Sequence, residues 1–326
     1  MLWQLRYIME EAGMHYLLLK QILFMRYCLF FLKKKIKKIC IWRPSGIGDI
    51  IMLHPLAKSL KEKFPNASIT YVSRDRAVNL EVAGRIPSFD HIGVNKDGTR
   101  FSDFKKRNGR NFDITILPYY ETVFNRFLNK IGKGRNFIAS LYSSVGLECP
   151  PDIRLVYRLK DEEEQFALEY KKRLGNYIIL IDKSSPFTSK RDWPYEYWQK
   201  LINLQTLPVI LIGTSKDTFE GCIDLRNKIT IHQCAALIKE CRLFVGVDTG
   251  PFWFTNVFNK DAVIINGGFQ PPVLSRHPRS HHFFSNIECA PCLKWDEICP
   301  HDMKCMKIIK PEDVNVKIKE ILASSS

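Results

Sequence analysis

At 326 residues the chain is long for one domain and comfortable for two, and 45% apolar with 25% charged residues is the composition of a globular protein with a substantial core. A formal charge of +15 favours anionic partners, whether nucleic acid, acidic lipid or sugar phosphate, without choosing among them. Of ten cysteines, six stand singly (positions 28, 40, 149, 222, 234 and 241), a usage that argues for reduced thiols in a cytosolic enzyme. Residues 14–32 are strongly apolar and run into Lys33-Lys-Lys-Ile-Lys-Lys38. A secretory signal would carry its charges ahead of the apolar run and a small-residue cleavage site after it. Lys20 and Arg26 interrupt the stretch, which is already near the lower limit of ~17 residues for a membrane span. Segment 1–36 therefore reads as a helix lying on an anionic membrane surface, with its lysines against the headgroups. Packing on the protein, or a start at Met14 or Met25, are the alternatives.

Lys37 to Ala57 reads as a short strand (Ile39, Ile41), a glycine-bearing loop from Arg43 to Gly48, and a helix beginning near Asp49. Gly46 and Gly48 permit a tight turn and close approach to a ligand, with Ser45 beside them. Ile50, Ile51, Leu53, Leu56, Ala57 and Leu60 form a broad apolar face for packing on a sheet. Asp49 then stands at the mouth of the helix, facing the region beyond the strand ends where open α/β sheets bind ligands. The loop lacks the third glycine of a dinucleotide fingerprint, since Ile51 stands there. A capping aspartate in an ordinary strand-to-helix turn is the plain alternative.

Strands at 67–73, 91–94 and 112–118 with a helix near 77–84 continue a parallel, doubly wound pattern; 120–158 is less regular. A basic turn holds Lys130, Gly132, Lys133, Gly134 and Arg135. Asp161 to Gly175 carries acids in its first turn, bases in its last and a terminal glycine, the marks of a helix. A second alternating series follows: strands at 177–182, 208–213, 243–247 and 262–266, and helices opening at Pro194, Ile231, Pro251 and Pro311. The fold class is α/β, with domains expected at 37–160 and 161–326. Nucleic acid is a poor partner, because the charge is spread over two α/β domains and no basic recognition helix follows the cysteines.

Several pieces together resemble glycosyltransferase family 9, the ADP-heptose:lipopolysaccharide heptosyltransferases. They are Arg43-Pro-Ser-Gly-Ile-Gly-Asp49, His54-Pro-Leu56, Phe64-Pro-Asn-Ala-Ser-Ile69, Arg191-Asp-Trp-Pro-Tyr-Glu-Tyr-Trp198, Asp224-Leu-Arg226, Val245-Gly-Val-Asp-Thr-Gly-Pro251 and the cysteine-bearing tail. Their order spans residues 38–323. The resemblance implies a GT-B fold of two Rossmann-like domains facing across a cleft. It implies inverting, metal-independent transfer of a sugar from an ADP-activated donor to a lipid-linked oligosaccharide, at the inner face of the bacterial inner membrane. Asp49 matches the family's proposed base. Asp248, Thr249 and Gly250 match its donor-binding turn, and Arg191 falls where a basic residue precedes the Trp-Pro. Ser184, Ser185 and Thr188 would add hydroxyl donors, and Lys190 is a competing phosphate ligand. The N–H groups of Thr249, Gly250 and Phe252 are expected to face a diphosphate.

Three departures leave the donor sugar and acceptor open. Trp253 replaces the histidine many members carry, Phe254 to Asn259 replaces a small-residue helix, and segment 1–36 has no usual counterpart. A catalytically lapsed nucleotide-sugar sensor or scaffold is the rival function. Cys289-x2-Cys292-x6-Cys299-x5-Cys305 places four thiols within 17 residues. A structural zinc or iron is one reading, with His301 able to replace a ligand. Free thiols, or disulfides formed on oxidation, are the others. Four cysteines would leave no open position for catalysis.

Overall fold

The computed structural model of the chain describes residues 2–96, 100–119, 128, 133–184, 189–292 and 298–324. The chain divides into two compact units, Met1–Arg158 and Leu159–Ser326.

The first unit opens with helix α1 (Leu2–Tyr27), which widens into a π-helical turn over Cys28–Leu32. Four parallel strands follow: β1 (Lys38–Trp42), β2 (Ser68–Arg74), β3 (His91–Asn95) and β4 (Ile114–Ile116), in the order β3-β2-β1-β4. All but the first residue of β1 is buried, as expected of a parallel strand covered on both faces. Helix α2 (Ile47–Lys63) buries the predicted apolar face. It begins two residues earlier than its pattern suggests, with Gly46 at the N-cap, so Asp49 is the third helical residue rather than the first. Helix α3 (Ala77–Ala83) lies where expected, and α4 (Phe101–Asn108) is an addition. The irregular stretch contains α5 (Phe137–Ser144), whose Asn136 side chain accepts from the N–H of Ile138. Lys130 and Gly132 lie outside the described residues.

One side of α1 is fastened to this unit. Leu18, Gln21, Met25 and Cys28 are buried. The Gln21 side chain donates to the carbonyls of Leu117 (3.1 Å) and Ser144 (2.9 Å) and accepts from the N–H of Leu117 (2.7 Å). Gly146 makes the approach possible: its φ is +75°, and a Cβ there would lie 3.0 Å from Ile22 Cγ2.

The second unit begins with α6 (Asp161–Leu174), where the Glu163 carboxylate accepts from the N–H of Lys160. Its strands are β5 (Ile178–Ile181), β6 (Val209–Leu211), β7 (Ile223–Asp224), β8 (Leu243–Val247), β9 (Ala262–Gly267) and β10 (Ser280–Phe284). All pair in parallel, in the order β10-β9-β8-β5-β6-β7. Helix α7 (Tyr195–Asn203) takes Pro194 as its N-cap, one place earlier than the expected first-turn position. Helix α8 (Ile231–Glu240) carries a full capping box from Thr230 and Gln233. Pro251 lies in a 3-10 turn (Gly250–Phe252), which leads into α9 (Trp253–Val257). The C-terminal elements are α10 (Lys304–Lys307) and α11 (Pro311–Ala323), the latter burying Val314 and Ile318 on the sheet.

Each sheet runs outward from its first strand in both directions: β1 has β2 on one side and β4 on the other, and β5 has β6 and β8. The order therefore reverses between β1 and β4 and between β5 and β8. Loops that leave the carboxyl ends of those strands border the crevice where doubly wound sheets bind ligands. They are the loops that carry Arg43–Asp49, Asp182–Arg191 and Asp248–Pro251.

The β5–β8 pair tolerates no side chain at Gly246, because a Cβ there would meet the Ile181 carbonyl oxygen at 2.9 Å. Replacing Gly246 with Val should destabilise the protein by about 1–3 kcal/mol, read as a lower urea midpoint.

Candidate active site

In the first unit the loop after β1 is held from below. The buried Tyr71 hydroxyl donates to the Arg43 carbonyl at 2.8 Å, and Arg74 Nε donates to the Pro44 carbonyl at 2.6 Å. The Asn79 amide donates to the carbonyl of Ser45, whose own hydroxyl turns back to the Arg43 carbonyl. Burial drives the Tyr71 phenol well above its ordinary range, so it stays a hydrogen-bond donor. Gly46 caps α2 and Gly48 is buried within its first turn.

This frame sets Asp49 against a guanidinium. Arg43 Nη2 donates to Asp49 Oδ1 at 3.0 Å, and the Arg43 guanidinium also lies 5.3 Å from the centre of the Tyr119 ring. Arg43 is buried, whereas the Asp49 side chain keeps 18% of its surface open. Sequence reasoning assigned Arg43 no role. Its signal was its place at the head of the motif, six residues before the carboxylate.

In the second unit, Lys190 and Arg191 close a 3-10 turn (Ser189–Arg191) and are both buried. Arg191 Nη1 donates to the carbonyl of Asp248 at 2.6 Å, and its guanidinium lies 5.4 Å from the Phe269 ring centre. The loops after β5 and β8 are thus bonded to each other. Ser184 is partly exposed on the same loop. Ser185 and Thr188 fall outside the described residues.

The Asp248 carboxylate turns inward, where it accepts from Ser275 Oγ at 2.8 Å and from the Gln270 amide. Burial pushes this carboxyl up, while Arg191 and the two side-chain bonds pull it down. Its geometry is that of a brace between β8 and the loop after β9. The turn itself is Thr249-Gly250, with Thr249 in extended conformation. The Phe252 N–H, expected to face a ligand, donates instead to the Thr249 carbonyl at 3.1 Å, because the chain closes a 3-10 turn there. Trp253 is buried.

Beside this turn lies a network the sequence did not reveal. The Ser215 hydroxyl bonds both oxygens of buried Asp182 (2.7 and 2.6 Å) and accepts from Arg226 Nη1 at 2.7 Å; Arg226 also pairs with Asp224 at 2.6 Å. The Asp224-Leu-Arg226 motif was its only visible part. On the adjoining loop, burial pushes the Asp192 carboxyl up to about 6, with Lys183 opposing.

The cysteine tail folds onto Gly267 and Gly268. A Cβ on Gly268 would lie 3.0 Å from both Ala290 Cβ and Cys305 Cβ, and the Cys292 N–H donates to the Gly268 carbonyl at 3.0 Å. Burial raises the Cys305 thiol, a backbone hydrogen bond at Gly268 opposes this, and Cys292, Cys299 and Cys289 add smaller raising effects. Cys292 and Cys305 thus both border Gly268. Among the described residues, no three His, Cys, Asp or Glu side chains stand in a metal-holding arrangement.

A family model described as glycosyltransferase family 9 (heptosyltransferase) matches residues 135–301. The chain is 26% identical to lipooligosaccharide heptosyltransferase 2 of Campylobacter jejuni (serotype O:6), over 87% of this chain and 99% of that one. Its fold superimposes on Escherichia coli ADP-heptose LPS heptosyltransferase II with a TM-score of 0.63 at 14% identity, covering 88% of this chain and 99% of that one. The iron-containing dodecameric glycosyltransferase TibC of enterotoxigenic E. coli gives a TM-score of 0.63 at 15% identity, covering 90% and 78%. These likenesses give two parallel α/β sheets of the GT-B kind.

The region under the Thr249 turn also makes a pH prediction. His277 pairs with Thr255 Oγ1 and stacks on Phe252, while His282 pairs with Asn266. Burial lowers His277 from 6.5 to about 4 and His282 to about 3. Both imidazoles are neutral when folded, so unfolding takes up protons below pH 6.5, and their effect is to lower stability progressively from there towards pH 4. Asp192, raised by burial from 3.8 to about 6, acts in the opposite sense from about pH 6 downward through the rest of that window. The difference in urea midpoint between pH 7.5 and pH 5 should therefore shift in the direction of greater acid tolerance in His277→Gln. An unchanged difference would show that His277 is not neutral in the fold.

Proposed function

Because this chain belongs to glycosyltransferase family 9, the heptosyltransferase family, we propose that it transfers a heptose from ADP-heptose to the core of a lipopolysaccharide or lipooligosaccharide. The reaction would invert the anomeric carbon and use no catalytic metal. The observation that carries the reading is that the family motifs occupy the loops at both topological switch points, and that Arg191 is bonded to the Asp248 carbonyl there.

Asp49 is the proposed base. An acceptor hydroxyl oxygen would bond to the anomeric carbon, the bond from that carbon to the diphosphate oxygen would break, and the hydroxyl proton would pass to the Asp49 carboxylate. Arg43 fixes the orientation of that carboxylate through Oδ1. In the second unit the N–H groups of Thr249 and Gly250, with Arg191, Lys190 and the hydroxyls of Ser184, Ser185 and Thr188, would receive the diphosphate. A cation beside the departing ADP stabilises charge that grows as the bond breaks. Asp248 would contribute by holding the turn, since a carboxylate facing the diphosphate would repel it. With a lipid-linked acceptor, the enzyme would work in the cytoplasm at the inner face of the inner membrane.

Two substitutions and a nucleotide series test this. Asp49→Asn should lower the transfer rate by about 10²–10⁴ while ADP affinity measured by calorimetry stays the same. Arg191→Ala should weaken ADP binding. Among ADP, UDP, GDP and CMP, selective ADP binding is expected. A preference for UDP or GDP would replace the donor, and a folded sample that binds none would favour the sensor or scaffold.

We further propose that Cys289, Cys292, Cys299 and Cys305 hold a structural iron or zinc. Four cysteines within 17 residues would supply a tetrahedral set when a metal draws them together, and a closed site of this kind contributes folding energy rather than chemistry. Elemental analysis should find about one metal ion per chain. Cys292→Ser should lose it and lower the thermal midpoint; metal-free protein of unchanged stability would overturn the assignment.

A further inference from the structure

By length and composition alone, Gly13–Leu32 could cross a membrane. Its anchorage says otherwise. At about 100° per residue, Leu18, Gln21, Met25 and Cys28 fall on one side of the helix, and all four are buried against the first unit. Gln21 uses both ends of its amide there, bonding Leu117 twice and Ser144 once. Pulling this side into lipid would strip three buried hydrogen bonds, and a polar amide without partners is expensive in hydrocarbon.

The opposite side is exposed and mainly apolar, with the two cations Lys20 and Arg26 set among its apolar side chains. Tyr16, Leu19, Leu23, Tyr27, Phe30 and Phe31 are all exposed, Leu23 at 58% and Phe30 at 81%. Tyr16 lies under the Lys20 ammonium, and Phe31 contacts the rings of both Tyr27 and Phe30. At the end of the helix the exposed lysines 33, 34, 35, 37 and 38 follow, and residues 13–38 hold seven basic side chains and no acid.

We infer that this face is a monotopic docking surface for an anionic phospholipid bilayer. The aromatic and leucine side chains enter the boundary between headgroups and acyl chains, and the lysines meet the phosphates. Charge complementarity decides the occupant: a second copy of the chain would bring a second set of seven cations against the first, with no acids between residues 13 and 38 to offset them. Gln21 keeps the helix fastened to its unit, so the protein lies on the bilayer and does not thread it. The inference agrees with a lipid-linked acceptor but stands on residues of the first unit alone, and its test reads binding rather than transfer.

The experiment is flotation of the full chain with vesicles of phosphatidylglycerol and phosphatidylethanolamine, and with vesicles of phosphatidylcholine. Wild-type protein should float with the anionic vesicles, stay behind with the neutral ones, and be released by alkaline carbonate. Leu23→Glu with Phe30→Glu should lose flotation while keeping the circular dichroism spectrum and ADP affinity of the parent, since both side chains are exposed. Replacing Lys33, Lys34 and Lys35 with Gln should bring anionic flotation down to the neutral level. Equal flotation of the double variant, or no flotation of the wild type, would overturn the proposal. So would carbonate-resistant binding, the mark of a span, or a dimer that the double variant converts to monomer.

Discussion

The hydrogen bond from Arg191 Nη1 to the Asp248 carbonyl holds the second unit's site together. It joins two loops 57 residues apart, and its donor is a charged group in a buried place, where such bonds are worth about 1.5–3 kcal/mol. Further bonds are organised around it. The Phe269 ring lies over the guanidinium, and the Asp248 side chain extends the brace to Ser275 and Gln270 on the loop after β9. Thr249 and Gly250 can keep their turn because their neighbour is fixed from two sides. A turn whose shape is fixed in advance loses little freedom on meeting a ligand.

The first unit reaches the same end with a phenol, a guanidinium and an amide. Two side chains from β2 and one from α3 bond consecutive carbonyls of the loop from Arg43 to Ser45. The backbone is satisfied by the protein itself, which frees the loop's side chains for other work. Arg43 uses that freedom to pair with Asp49. An ion pair here costs mobility of two side chains and returns a carboxylate held in one orientation, the property that proximity effects in catalysis reward.

The positions of these motifs were legible because continuous apolar runs such as Ile178–Ile181 and Leu243–Val247 mark buried parallel strands, and the residues after them mark the carboxyl edge. Strands β7 and β10 were not legible. The first has two residues, and the second reads Ser-His-His-Phe-Phe at a sheet edge, where one flank carries no neighbouring strand and composition is less constrained. The inward turn of Asp248 was hidden for a different reason: its partners Gln270 and Ser275 lie on another element, and no local pattern announces a tertiary bond. The same holds for Asp182 with Ser215, and for Gln21, an uncharged polar residue in an apolar stretch whose two partner residues lie 96 and 123 residues away.

That last separation has a consequence in time. The seat for Gln21 includes the carbonyl of Ser144, so it does not exist until 123 further residues have been synthesised. At translation speeds of about 5–20 residues per second, the apolar N-terminal helix waits roughly 6–25 s outside the ribosome with neither of its sides covered. During that interval the side later fastened to the protein and the side left bare are equally open to lipid, chaperone or another nascent chain. The glutamine is then a late commitment. Only when α5 and β4 are in place does one side acquire partners that no hydrocarbon can offer, and the helix is drawn out of competition as a span.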